Sequence, residues 1–131
     1  LSSGVAPISR YLKHGLHVGL ATDVAGGSHE NLLRAMAHAI QASKLRWRLL
    51  DQSVAPLTFD QAFYLATMGG GAFFGNVGSF LEGYEFDAVV LDDASLDHPQ
   101  PLSVRDRVER AAYLADERNV MAKFVAGVQI L

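Results

Sequence analysis

The chain has 131 residues, half of them hydrophobic, which is enough to bury one modest core. Its 11 Lys and Arg residues are scattered and its formal net charge is −3, so the composition predicts neither a nucleic-acid partner nor a membrane partner. The lack of cysteine excludes disulfides, thiolate metal sites and cysteine nucleophiles, and it fits a cytoplasmic location.

A short helix and a buried strand are the first predicted elements. Residues 7–14 have helical periodicity, with Pro7 in the first turn and Gly15 at the end. Residues 16–21 are almost continuously apolar, which is typical of a parallel strand buried on both faces. Asp23 follows that strand in a short glycine-rich loop. Because ligands bind at the carboxyl ends of such strands, Asp23 is a candidate functional acid. A capping or turn acid is the structural alternative.

Two helices are predicted after the loop. Ser28 is placed to cap a helix that reaches about residue 49, with Glu30 in its first turn. Thr58 and Gln61 form a capping-box pattern, which predicts a second helix over residues 59–68. Three glycines at 69–71 are expected to interrupt it.

The second half of the chain changes pattern. It predicts a strand over residues 86–91, a helix capped by Ser103 that runs to residue 114, and two strands over 119–125 and 128–131 about a tight turn. The chain is therefore α/β. No second strand resembles the buried one at 16–21, so its hydrogen-bonded neighbours are expected outside this chain. The first residue, Leu1, and an ending inside a strand also lead us to expect a fragment.

Several phrases are typical of a known family. The chain opens with Leu-Ser-Ser-Gly, and residues 18–27 read Val-Gly-Leu-Ala-Thr-Asp-Val-Ala-Gly-Gly. Residues 57–70 run from Leu-Thr to Leu-Ala-Thr-Met-Gly-Gly, and residues 78–90 read Gly-Ser-Phe-Leu-Glu-Gly-Tyr-Glu-Phe-Asp-Ala-Val-Val. The ending combines Tyr-Leu-Ala-Asp-Glu-Arg-Asn-Val at 113–120 with Val-Ala-Gly at 125–127. Together these phrases resemble the C-terminal third of the guanine deaminases, in the amidohydrolase superfamily.

The resemblance implies a fold and a division of the chain. Residues 1–75 would supply the last βα units of a metal-dependent (β/α)₈ TIM barrel. Residues 76–131 would supply the C-terminal part of a small composite β-sandwich. The missing N-terminal part of the same protein would complete both, and family members are commonly homodimers.

The resemblance also implies a role for Asp23 as both metal ligand and catalytic acid–base. In this family an Asp after the eighth strand helps bind one zinc ion, whose bound water has a pKa near neutrality. The Asp accepts a proton from that water and returns it to the departing ammonia, so guanine becomes xanthine. The family's His-x-His pair, further His, proton-shuttling Glu and purine-contacting residues have no counterpart in this chain.

Two alternatives remain open from the sequence. The substrate could be another amino-heterocycle, such as an oxidised purine, a triazine or a pterin. The chain could instead be a non-catalytic α/β module in which Gly26 and Gly27 form an anion-binding turn. His29 and Glu30 lie beside the expected active-site mouth and could contact substrate or a lid, but solvated residues of the first helical turn are the simpler interpretation.

Overall fold

The computed structural model describes residues 3–131. Leu1 and Ser2, which open the first phrase of the resemblance, lie outside the described residues. Within residues 3–131 four α-helices come in the order α1 Ile8–Lys13, α2 Leu32–Leu49, α3 Phe59–Tyr64 and α4 Val104–Leu114. A π-helical segment, Leu65–Gly69, continues α3, and short 3₁₀ helices lie at Ala94–Leu96 and Glu117–Asn119. The strands are β1 Ala88–Leu91, β2 Val120–Val125 and β3 Val128–Gln129.

The three strands form one antiparallel sheet in the order β1-β2-β3. A bulge interrupts the pairing of β1 with β2 between Val90 and Leu91. Ala126 and Gly127 both have positive φ, +48° and +77°, which is the geometry of a two-residue hairpin turn between β2 and β3. The predicted hairpin is therefore confirmed, although β3 ends at Gln129 rather than at the last residue.

The core lies between α2, α3 and α4. Met36 and Leu65 are its largest fully buried side chains. The core cluster consists of Met36, Ile40, Leu57, Phe59, Ala62, Leu65 and Ala112. Val18 and Leu20 pack against this cluster from the segment of residues 16–21. The segment that leads to Asp23 is thus held against the helical core.

The prediction of a strand over residues 16–21 is not realised among the described residues. The segment has no ladder partner, and none of its residues is assigned to a strand. A strand needs a neighbour for its N–H and C=O groups, and the sheet of this chain is built from other segments. The Leu20 N–H instead donates to the carbonyl oxygen of Leu65, at 2.9 Å.

The prediction that Ser28 caps α2 is wrong. Asn31 is the N-cap, and its Oδ1 accepts from the N–H groups of Leu33 at 2.8 Å and Arg34 at 3.3 Å. Glu30 consequently precedes the helix and is not in its first turn. The amide oxygen of Asn31 satisfies two orphan donors of the first turn, which is why the helix begins three residues later than predicted.

The glycines at 69–71 do not interrupt the helix. The backbone passes through the π-helical segment and stays helical to residue 71. A Cβ at Gly69 would lie 2.7 Å from the Val18 carbonyl oxygen, and one at Gly71 would overlap the Val77 carbonyl oxygen. These glycines therefore allow neighbouring backbone to approach the helix closely, which a sequence pattern cannot distinguish from helix breaking.

Candidate active site

Asp23 follows the segment of residues 16–21, and its side chain is exposed. Its backbone is in the left-handed region at φ +53°, which Asp tolerates better than most residues because its short polar side chain suits that conformation. Within residues 3–131 its carboxylate has no hydrogen-bond or ion-pair partner. The carboxylate of Asp23 is thus exposed after the segment 16–21, and its contact with a ligand stays a prediction.

The loop after Asp23 is held by backbone contacts. The N–H groups of Gly26 and Gly27 both donate to the Asp23 carbonyl oxygen, the first at 2.9 Å. Ala25 also has a positive φ, +77°, which is unfavourable for a residue with a Cβ. Two left-handed residues this close together are typical of loops whose conformation is fixed by their surroundings for a functional reason.

The same contacts disfavour the anion-binding alternative. An anion at Gly26 and Gly27 would need their N–H groups, and both of these donate to the Asp23 carbonyl oxygen. The helix begins only at Leu32, so the glycines do not lie at its N-terminus. The charge of Asp23 in the same loop would also oppose an anion.

A histidine pair lies near the start of α2, and sequence reasoning did not find it. The Nε2 atom of His29 is 3.1 Å from the Nδ1 atom of His38, and the ring centroids are 4.8 Å apart. The Nδ1 atom of His29 is buried and has no hydrogen-bond partner in the described part of the chain. Because His29 precedes the helix, its nine-residue separation from His38 gave no helical-face signal.

The side chains of Asp116, Arg118 and Asn119, in the Asp-Glu-Arg-Asn phrase at residues 116–119, stabilise the local fold. The Arg118 guanidinium donates to both carboxylate oxygens of Asp116, at 3.0 Å from Nε and 2.6 Å from Nη2. These hydrogen bonds lower the pKa of Asp116 to about 2. The buried side chain of Asn119 donates to the Asp92 carbonyl oxygen at 2.8 Å and to Ser95 Oγ at 3.0 Å, and it accepts from the Asp116 N–H at 3.0 Å. The phrase forms a turn between α4 and β2.

The described residues do not contain a complete metal site. Among residues 3–131 no three His, Cys, Asp or Glu side chains lie close enough together to hold a metal ion. The single exposed carboxylate of Asp23 has the donor chemistry of one ligand in a shared site. Any metal held by Asp23 would need its other ligands from elsewhere in a larger protein.

The fold and the candidate site together are typical of part of a hydrolase. The amidohydrolase family matches residues 1–130, and the chain belongs to that family. No helix among the described residues is long and apolar enough to span a membrane.

The similar proteins within the family are guanine deaminases. The chain is 35% identical over 144 residues to the guanine deaminase of Homo sapiens, a match that covers 100% of this chain and 31% of that protein. It is 31% identical over 137 residues to the guanine deaminase of Dictyostelium discoideum, with 99% and 30% covered. The chain therefore spans about a third of the length of these relatives.

Solved structures of guanine deaminases are also similar to this chain. The crystal structure of guanine deaminase from C. acetobutylicum, with guanine bound in its active site, superposes with a TM-score of 0.93 at 43% identity. The match covers 100% of this chain and 31% of that one. The E. coli guanine deaminase superposes with a TM-score of 0.82 at 27% identity and covers 98% of this chain. The backbone described above is thus similar to about a third of these enzymes.

Proposed function

We propose that this chain forms about a third of a guanine deaminase, which hydrolyses the exocyclic C–N bond of guanine to give xanthine and ammonia. The observation that carries the proposal is the superposition on the guanine-bound enzyme, with a TM-score of 0.93 at 43% identity along the whole chain. At this identity a shared backbone supports shared chemistry as well as a shared fold.

The chain's place in the complete enzyme follows the division expected from the sequence. Residues 1–75 form the last βα units of a (β/α)₈ barrel, and residues 76–131 form the C-terminal part of a composite β-sandwich. The sheet β1-β2-β3 lies wholly within the second part, which supports this division. The N-terminal part of the enzyme would supply strands that pair with residues 16–21.

Exposed apolar side chains support the same assembly. Leu16, Val24 and Phe74 are 54%, 62% and 84% exposed. Contact with further protein would cover these side chains and remove their apolar surface from water. A homodimer and a cytoplasmic location stay predictions of the sequence.

Asp23 is the residue of this chain that we assign to the metal and to the reaction. Amidohydrolases are generally metal-dependent, and an exposed carboxylate without a protein partner fits one position in a zinc site completed by imidazoles. When bound, zinc supplies a Lewis acid and lowers the pKa of water to about 7.

The carboxylate of Asp23 also moves the proton. It accepts the proton of the attacking water at a carboxylate oxygen and returns it to the leaving nitrogen, which departs as ammonia. Water and guanine are consumed and xanthine and ammonia are formed, so the atoms balance. An amide at position 23 would retain a metal-binding oxygen but would not carry the proton.

The test is a substrate comparison with the complete enzyme. Ammonia release is measured with guanine, an oxidised guanine, an amino-triazine and a pterin under the same conditions. We expect the highest kcat/KM with guanine. A preference for another heterocycle would contradict the substrate while leaving the hydrolase class intact.

The 131-residue chain alone is the matched negative control. It should release no ammonia from guanine, because no three His, Asp or Glu side chains of its described residues lie close enough together to hold a metal ion. Turnover by this chain, free of other polypeptide, would contradict the assignment of the remaining ligands to another part of the enzyme.

A further inference from the structure

We propose that Gly27 is a positioning residue for Asp23, because its lack of a side chain lets the loop fold back onto Asp23 and fix the backbone from which the carboxylate extends. This inference rests on the proposed function of Asp23.

Space, not backbone freedom, is the reason for glycine at position 27. The φ of Gly27 is not positive, so an L side chain is compatible with its backbone. A Cβ at Gly27 would, however, overlap the carbonyl oxygen of Thr22 and lie 3.0 Å from that of Asp23. Those two carbonyl groups flank the Cα of Asp23, so any side chain at position 27 must displace the backbone that carries the carboxylate.

Two backbone hydrogen bonds also hold the loop against Asp23. The N–H of Gly27 donates to the Asp23 carbonyl oxygen, and the N–H of Gly26 donates to the same oxygen at 2.9 Å. The Asp23 side chain itself has no partner within residues 3–131. The position of its Cβ is therefore set by the backbone alone, and the backbone is held by the return of the chain at Gly27.

The segment of residues 16–21 before Asp23 is anchored independently. The Leu20 N–H donates to the Leu65 carbonyl oxygen at 2.9 Å, and Val18 packs on the helical core. A side chain at Gly27 would consequently move the loop relative to a fixed segment, and the displacement would fall on Asp23. This location separates a positioning effect from general damage to the fold.

The experiment compares three variants of the complete enzyme, with kcat and KM for guanine, zinc affinity from chelator competition, and thermal unfolding. Gly27→Ala should lower kcat about 100-fold, as expected for a displacement of about 1 Å at a reacting group, with KM changed by less than about threefold. It should also bind zinc more weakly. Ala25→Gly is the matched control in the same loop. It adds no atoms and relieves the positive φ of Ala25, so kcat should stay within about threefold of the unmodified enzyme.

The Asp23→Asn variant distinguishes a failure of the positioning role of Gly27 from a failure of the proposed role of Asp23. If Asp23→Asn is inactive but Gly27→Ala keeps kcat within about threefold of the unmodified enzyme, the positioning role is wrong and the role of Asp23 stands. If Asp23→Asn itself retains turnover, the proposed function of Asp23 fails first. If Gly27→Ala does not fold, the double variant with Ala25→Gly gives the loop freedom to accept the Cβ. A folded double variant with normal kcat would overturn the inference.

Discussion

Alanine at Gly69 and at Gly70, in separate variants, tests the backbone contact between residues 18–20 and the π-helical segment. A Cβ at Gly69 would lie 2.7 Å from the Val18 carbonyl oxygen and 3.1 Å from that of Tyr64. A Cβ at Gly70 would meet nothing closer than the Leu65 carbonyl oxygen at 3.4 Å, an ordinary contact. The two positions are adjacent in one helix, so each is the control for the other.

The expected magnitude follows from two opposing effects. Either substitution removes the helix-propensity penalty of glycine, which is worth about 1 kcal/mol. The alanine at Gly69 must in addition widen a 2.7 Å contact to about 3.4 Å, a shift of about 0.7 Å against backbone. Overpacking of this kind costs about 1–3 kcal/mol. The free energy of unfolding of the Gly69→Ala variant should therefore be about 1–3 kcal/mol lower than that of Gly70→Ala.

Urea unfolding of the complete protein, followed by circular dichroism, measures this difference. The free energy of unfolding of Gly70→Ala should equal or exceed that of the unmodified protein. Equal stability of the two variants, or greater stability of Gly69→Ala, would refute the close approach of Val18 to the helix.

Three further predictions concern caps and charges. Thr58→Ala should lower the free energy of unfolding by about 0.5–2 kcal/mol in urea unfolding, because it removes the side-chain acceptor of the Gln61 N–H, and Thr58→Ser should restore it. Asn119→Ala should lower the free energy of unfolding by about 1.5–4.5 kcal/mol in the same assay, because it removes three hydrogen bonds worth about 0.5–1.5 kcal/mol each. An unchanged unfolding midpoint would contradict the buried turn. The pKa of Asp116 is lowered from 3.8 to about 2, so its contribution to stability is complete above pH 3.8 and is lost as the pH falls toward 2. Asp116→Asn and Arg118→Gln should each reduce this acid dependence of the free energy of unfolding, measured in a pH series. An unaltered dependence in both variants would contradict the ion pair.

Local signals in the sequence predicted most of the regular structure. The capping box at Thr58 begins α3, and Ser103 caps α4 through its hydroxyl, which accepts from the Asp106 N–H at 3.2 Å. The tight turn at Ala126 and Gly127 closes the hairpin. Each of these features is determined within a few residues, because a cap or a turn satisfies its own neighbours.

Features that depend on distant backbone were not predictable in the same way. The segment 16–21 has strand-like composition, but a strand also requires a partner, and this sheet does not supply one. The glycines at 69–71 have the composition of a helix break, yet they serve a close approach of Val18 and Val77. The contact of His29 with His38 depends on the path of a loop. Asp23 stays a prediction, made from two local signals: its place after the apolar segment 16–21 and the phrase around it.

The most direct test of the central claim is the effect of Asp23→Asn on the complete enzyme, measured as the rate of xanthine formation together with the zinc content of the folded protein. Asparagine is close in size to aspartate and retains an oxygen for the metal, but it cannot relay a proton. We predict a folded protein whose kcat for guanine falls by about 100-fold or more. Turnover within about threefold of the unmodified enzyme, with normal zinc content, would contradict the assignment of Asp23 to the reaction.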